Sequence, residues 1–475
     1  MKKLSNILIL TLLFSVATSA QKTKIAVLKK LDSQSEKYGS IAMQIWNLAE
    51  MGYLEEQSSS LLQETLSNEG FTIKKGVANI PTAFIAEYGS GLPIIAILGE
   101  FDALPGLSQQ AIPEKKSANG NAGHACGHHL FGTASAAAAI SVKQWMQSTK
   151  QKGTIRFYGC PAEEGGGAKV YMAREGLFDD VDIALHWHPS SQNAASAAAA
   201  LANISAKFRF HGVSAHAAGA PEKGRSSLDG VEAMNAMVNM MREHVPQEAR
   251  IHYVITDGGK APNVVPDFAE VYYYSRHNSR DVVRSIFNRI VKAGEGAALG
   301  TGTTMDYEII NGVHELLPNL SLQKLVHDNL SAIGGVTYSE EEKEFAEKIA
   351  LSLGQTKADL DRAVNIQPYK ETAQAYGSTD VGDVSFVVPT VGFGTATWVP
   401  GTSAHSWQAV AAGGTSIGEK GMMVAAKTIT ATVIDLFKNQ ELIVRAKVEF
   451  KNRRGVNFIY KPLLGNRPPA LNYRK

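Results

Sequence analysis

Cysteine is scarce in this sequence. Cys126 and Cys160 are the only two in 475 residues, which excludes a disulfide-stapled scaffold for a chain of this length. A bond between the two stays open at this point, and it would be incompatible with a metal on Cys126. An excess of one charge is missing as well. Lys and Arg number 47 against 45 Asp and Glu. Lys2 and Lys3 fall in the leader described next, so the remainder balances, and a polyanion such as nucleic acid is excluded as the main partner. Long apolar runs are confined to the start. There, the basic Met1-Lys2-Lys3 precedes an apolar run from Ile7 to Val16 and the small residues Ala17-Thr18-Ser19-Ala20. That order reads as a cleavable signal peptide over residues 1–20, too short for a comfortable membrane span. It predicts a secreted or periplasmic protein with no membrane segment after cleavage. Internal repeats are absent, and the one low-complexity stretch, Ala194 to Ala200, reads as a crossing between domains.

What remains is an ordinary folded composition, 44% hydrophobic and 19% charged, in a chain too long for one core. Its densest chemistry is Gly123-His124-Ala125-Cys126-Gly127-His128-His129-Leu130-Phe131-Gly132. Three imidazoles and a thiol within six positions suit a zinc-type ion, and the flanking glycines let backbone and ligands crowd without a Cβ clash. Thr133 to Ile140 then reads as a small-residue helix able to pack closely beneath such a site. On this stretch alone a Gly/His surface loop is an equal reading.

Three further segments place polar residues just past predicted strands, where ligands gather in open α/β sheets. The strand Pro93 to Leu98 runs into Glu100 and Asp102; Asp102 either orients a ligating histidine or forms a turn before Pro105. The strand Gly153 to Tyr158 runs into Glu163-Glu164-Gly165-Gly166-Gly167. Adjacent carboxylates repel unless a cation lies between them, so one can ligate while the other takes a proton from activated water; a solvated acidic turn is the plainer alternative. The strand Val181 to Leu185 runs into His186-Trp187-His188-Pro189, whose alternation sets both histidines on one side, one of them as a ligand.

Upstream, residues 32–69 read as helix ended by Gly70, and Thr82 to Tyr88 as a strand. From about Leu201 the texture changes. Strands at Ile204 to His211, Ile251 to Thr256, Ala269 to Arg276 and Thr304 to Ile310, with helices at Ser226 to Met241 and Asp281 to Ala297, give a β-α-β-β-α-β insert. Methionines 234, 237, 240 and 241 read as core or subunit interface. The chain then returns to helices at Leu316 to Ile333 and Ser339 to Leu353, a polar loop at 377–385, a last strand near Val391, a candidate ligand in His405, and a helix from Gly421 to Leu436. The basic, aromatic tail from Arg445 reads as packed along the domain. The expected architecture is α/β: a mostly parallel mixed sheet flanked by helices, in two segments, 21–200 and 313–475, interrupted by a ferredoxin-like α+β domain over 201–312.

Together, Gly-His-Ala-Cys-Gly-His at 123–128, Pro-Ala-Glu-Glu-Gly at 161–165, His186 three residues before Pro189, Gly-Val-Ser-Ala-His-Ala-Ala at 212–218 and Ala-His-Ser at 404–406 resemble the dinuclear metallopeptidase family of aminoacylases, carboxypeptidases and amidohydrolases. Within it, Gly99 to Pro105, Leu185 to Pro189 and Tyr460-Lys461-Pro462-Leu463-Leu464 resemble the aminobenzoyl-glutamate utilisation protein B branch. The resemblance implies two divalent ions, Zn2+ or Mn2+, held by Cys126, His128, Glu164, His186 and His405, with His188 as the alternative to His186. It implies Glu163 as general base, His216 of a neighbouring copy at the oxyanion, and Asn263 and Arg276 holding substrate. The insert would be a lid and dimerisation domain, the assembly a homodimer, and the reaction amide hydrolysis of an N-acyl amino acid such as p-aminobenzoyl-glutamate. A dipeptidase or carboxypeptidase activity, or a non-catalytic metal- or peptide-binding role, are the alternatives. Many relatives carry Asp where His129 stands, which leaves Asp102 as the candidate to orient His128.

Overall fold

The computed structural model describes residues 23–374 and 377–474; the expected signal peptide lies outside them. The strands of the two main sheets are, in chain order, β1 (Thr72–Lys75), β2 (Phe84–Ser90), β3 (Ile94–Gly99), β4 (Gly153–Gly159), β5 (Ile183–Leu185), β6 (Ala202–His211), β7 (Arg250–Asp257), β8 (Phe268–His277), β9 (Thr304–Val313) and β10 (Thr390–Val391). The larger sheet has the order β1-β2-β4-β3-β5-β10. Its β4, β3, β5 and β10 run parallel, while β1 and β2 close one side antiparallel. The expected mixed α/β sheet is therefore present.

Alternation along the central strands sorts two cores. Ile95, Ile97, Ile155, Phe157, Ile183 and Leu185 face the helices His128–Thr149, Ser35–Leu48 and Ser416–Lys438. Ala96, Leu98, Tyr158 and Ala184 face the short helices Ala168–Arg174 and Val381–Ser385. The alanine run 136–139 is fully buried; small side chains bring its helix close to the sheet, which positions the first turn of that helix beside the strand ends.

Helix is broken within the expected 32–69 span, into Ser35–Leu48 and Glu56–Asn68. Ala49 and Tyr53 adopt left-handed φ of 44° and 65°, and the turn aims Glu55 inward, where it accepts from the Ala162 amide at 2.8 Å. The expected polar loop at 377–385 contains instead the buried helix Val381–Ser385. Its Asp380 and Asp383 are both buried because each has partners that polarity alone does not reveal.

The inserted sheet has the order β7-β8-β6-β9, antiparallel throughout. Helices Ser227–Met241 and Arg280–Thr301 cover one face, with Met234 and Met241 in that core and Met240 exposed. The other face, with Lys207, Arg209, Tyr272, Tyr274 and Arg276, looks into a cleft of about 1500 Å³ against the catalytic sheet. The tail also departs from expectation. After the helix Gln440–Arg454 it buries Leu464 in the catalytic core and Leu463 in the core of the insert, then lines the cleft with residues 467–474. No helix among the described residues is long and apolar enough to cross a membrane.

Candidate metal centre and active-site cleft

Because β3, β4 and β5 are parallel, Glu100 and Asp102, Glu163 and Glu164, and His186 and His188 all emerge at one edge of the sheet. The histidine-rich stretch meets them at the start of the helix His128–Thr149. Gly127 caps that helix with φ of 73°, and a Cβ there would lie 2.7 Å from Pro189; glycine alone lets the two loops touch.

Of the three histidines, only His128 faces the strand ends. His124 Nε2 lies 3.0 Å from the Ile45 carbonyl and His129 Nε2 2.9 Å from that of Gly413. Burial, with the nearby His128, pushes His124 down to about 4, so it is a neutral structural residue. His128 Nδ1 lies 2.8 Å from Asp102, whose other oxygen accepts from the Glu164 amide at 2.9 Å. One buried carboxylate thus fixes two side chains, and the His128 Nε2 lone pair points outward. This is the contact anticipated for Asp102.

Two groups of potential ligand atoms share the Cys126 thiol. Cys126, His128 and His188 form one; Cys126, Glu164 and His405 form the other, with the atoms of each group within 4.8 Å of one another. Cys126 and Cys160 are both free thiols, so no disulfide competes. His188 Nδ1 sits 2.7 Å from the Pro189 carbonyl, and Nε2 is 3.5 Å from Cys126 Sγ. Burial pushes His188 down to about 4, leaving a neutral ring with its Nε2 lone pair toward the thiol. His405 adopts φ of 60°, its amide pinned to the Ala125 carbonyl at 2.9 Å, which brings its Nε2 to 2.9 Å from Glu164 Oε1.

These donor sets fit divalent cations. His128 Nε2 and Glu100 Oε2 stand 3.2 Å apart, yet neither atom has a hydrogen-bond partner, and nor does Glu164 Oε1. Buried polar atoms left unsatisfied are costly. Lone pairs that converge without bonding one another are what ligands of a common ion present.

His186 stands apart. It lines the cleft, but it belongs to neither group. Its ring is turned to Gly392, where an added Cβ would come within 2.0 Å of Nε2. Glu163 converges instead with Glu100 and His128. Burial raises its carboxyl well above the usual range, reinforced by the charges of Glu100, Glu164 and Asp380. Arg276 lines the cleft, whereas His216 and Asn263 lie out on the insert, exposed, beyond the cleft of their own chain. His216 Nδ1 accepts from the amides of Ala218 and Gly219 at 3.2 and 3.0 Å, so its Nε2 carries the proton and is presented as a donor.

The sequence reading missed a buried brace beneath the centre. Lys169, fully buried, sits 2.6 Å from Glu100 and 2.7 Å from Asp380. It follows the glycine triplet within two residues, but nothing in that pattern says that a lysine turns inward. The tail was missed too: Tyr473 and Arg474 both donate to the Glu164 carbonyl, at 3.2 and 2.7 Å.

Comparisons with known proteins agree with this geometry. The profile of the peptidase dimerisation domain matches residues 201–299. Over 469 residues the chain is 40% identical to one of the two kinds of chain that make up the p-aminobenzoyl-glutamate hydrolase of Escherichia coli, covering 93% of this chain and 97% of that protein. The chain belongs to the M20 family of metal-dependent peptidases and amide hydrolases. It is also 27% identical to the Xaa-Arg dipeptidase of Mus musculus, covering 92% and 94% of the two chains. A dinuclear metal-binding M20 peptidase from Bacillus subtilis shares the fold with a TM-score of 0.57 at 16% identity, over 86% of this chain and 99% of that one. The protein is thus a metal-dependent enzyme that hydrolyses amide bonds.

Proposed function

We propose that the protein cleaves the amide of an N-acyl amino acid, with p-aminobenzoyl-glutamate as the first candidate. The observation that carries this reading is the pair of ligand groups sharing Cys126, with Glu163 beside them at the floor of a cleft. The 40% identity to a chain of p-aminobenzoyl-glutamate hydrolase supports the choice of substrate. In this reading two cations are held by Cys126, His128, His188, Glu164 and His405, with Cys126 common to both. Zinc suits the sulfur and imidazole donors, with manganese as the alternative. When bound, the ions lower the pKa of water and polarise the scissile carbonyl.

The chain's own residues do the rest. Glu163 takes the proton of the attacking water and returns it to the leaving amine. Asp102 keeps His128 and the Glu164 backbone in register. His216 of a second copy, joined through the inserted domain as a homodimer, donates Nε2–H to the developing oxyanion, a contact typically worth about 3 kcal/mol. Its own chain's cleft is not lined by it, which is why a second copy is required. Asn263 and Arg276 hold the substrate. The signal-like leader supports a secreted or periplasmic location.

Two experiments test this. Purified, metal-loaded protein is offered p-aminobenzoyl-glutamate, other N-acyl amino acids and dipeptides; turnover of the acyl-amino acids supports the reading, and turnover of dipeptides alone would replace it with a dipeptidase. Separately, His188→Ala is expected to lower the bound metal from two ions to about one, while His186→Ala keeps both. Metal analysis after dialysis reads the difference, and the reverse pattern would return the ligand role to His186.

A further inference from the structure

The cations around the cleft fall into two sets. Arg209 pairs with Glu270 and Glu308, Lys207 with Glu270, and Arg467 with Glu308. Arg276 and Arg474 have no carboxylate partner among the described residues, and the Nε of each is buried with nothing to donate to. A guanidinium desolvated in this way calls for an anion. The two approach from different parts of the chain. Arg276 lies on β8 of the insert, over the Tyr274 ring at 5.3 Å. Arg474 ends the tail, one donor spent on the Glu164 carbonyl. Between them the Tyr272 and Tyr274 hydroxyls stand 3.2 Å apart, and the Arg474 charge reaches Tyr272, opposing the burial that raises it.

Arg474 is not a loose end. The Tyr473 ring meets Tyr53 edge to face at 5.6 Å, and Tyr53 is itself tied to the Gly166 carbonyl at 2.7 Å. Arg467 anchors the start of the segment on Glu308 at 3.0 Å. The tail therefore delivers a fixed, unpaired guanidinium to the wall beside the Glu163-Glu164 loop, on the catalytic side of the cleft.

We propose that Arg474 determines specificity: it receives a second carboxylate of the substrate, so that the preferred leaving amino acid is acidic, its main-chain carboxylate going to Arg276. This rests on the proposed acyl-amino acid hydrolysis and adds to it a requirement at the side chain of the leaving group. A planar guanidinium binds carboxylate through two parallel hydrogen bonds, which the neutral amide of glutamine cannot reproduce.

The test uses the full-length, metal-loaded protein and two substrates that differ in one group, N-(p-aminobenzoyl)-glutamate and N-(p-aminobenzoyl)-glutamine. Wild type is expected to favour the glutamate substrate in kcat/KM by about tenfold to a hundredfold, mostly through KM, a range set by the loss of one charged partner. In Arg474→Ala that ratio falls to near one. Arg474→Lys keeps the charge without the fork, so its ratio lies between the two, and it answers the same question should the alanine variant fail to fold. Equal losses on both substrates in either variant would make Arg474 a brace for the Glu164 loop and overturn the proposal. Equal rates on the two substrates in wild type would overturn it as well, leaving amide hydrolysis intact. Turnover of neither substrate would instead sink the functional reading on which it rests.

Discussion

Glu163→Gln is expected to retain both cations and to lower kcat by about 10²- to 10⁴-fold, with KM little changed. Glutamine fills the same volume, so the pocket against Glu100 and His128 should survive. Its amide cannot accept a proton near neutral pH. The native carboxyl is held above its usual range by burial and by Glu100, Glu164 and Asp380, which suits a group that must first take a proton and then give it up. The structure also supplies the rival account. Glu100, His128 and Glu163 themselves converge within 4.8 Å, so Glu163 could be a ligand. The two roles separate in one measurement: metal content of E163Q by mass spectrometry alongside its kcat. Loss of one ion together with activity would make Glu163 a ligand; full activity with both ions would remove it from the reaction.

Much of this site is legible in the sequence because short-range spacing carries it. Cys126 and His128 share a helix start, Glu163 and Glu164 are adjacent, and each lies just past a run of β-branched and aromatic residues. Strand ends in a parallel sheet point the same way, so three polar segments far apart in sequence could be assigned to one edge. The same logic stops at the choice between His186 and His188. Alternation places them on one side, but the strand ends at Leu185. The space left by Gly392, remote in the chain but brought close by the pairing of β10 with β5, decides which ring turns aside. Long-range packing also hid the tail. The basic and aromatic residues of 467–474 look like a solvated end, and only Leu463 and Leu464, one in each core, force the chain into the cleft. Lys169 and Asp380 were illegible for the same reason. A lysine and an aspartate 211 residues apart show no periodic signal, and polarity argues for exposure.

Those two residues carry the other large effect expected. Lys169→Met keeps the aliphatic stem and removes only the charge, yet it should destabilise the protein by about 3–5 kcal/mol, since it breaks a buried ion cluster from one side. The ammonium sits 2.6 Å from Glu100 and 2.7 Å from Asp380 with no exposure to solvent, and the Lys169 amide also donates to Asp380 at 3.0 Å. In the variant both carboxylates remain buried and face each other. Burial already raises Glu100 even with the lysine present, so in K169M the folded state binds protons more tightly than the unfolded one. Stability contributed in this way is present below the unfolded carboxylate pKa and lost as pH rises through the folded value. The deficit of K169M should therefore be small near pH 4 and deepen toward pH 8. Urea unfolding of wild type and K169M at several pH values measures this, and K169M/D380N, which strands one carboxylate fewer, should recover part of the loss at high pH. A deficit independent of pH, or a double variant no better than the single one, would show that Lys169 fills space rather than balances charge. Because Glu100 reaches to 3.2 Å from His128 Nε2, turnover should fall in step with the high-pH instability, tying the brace under the sheet to the chemistry above it.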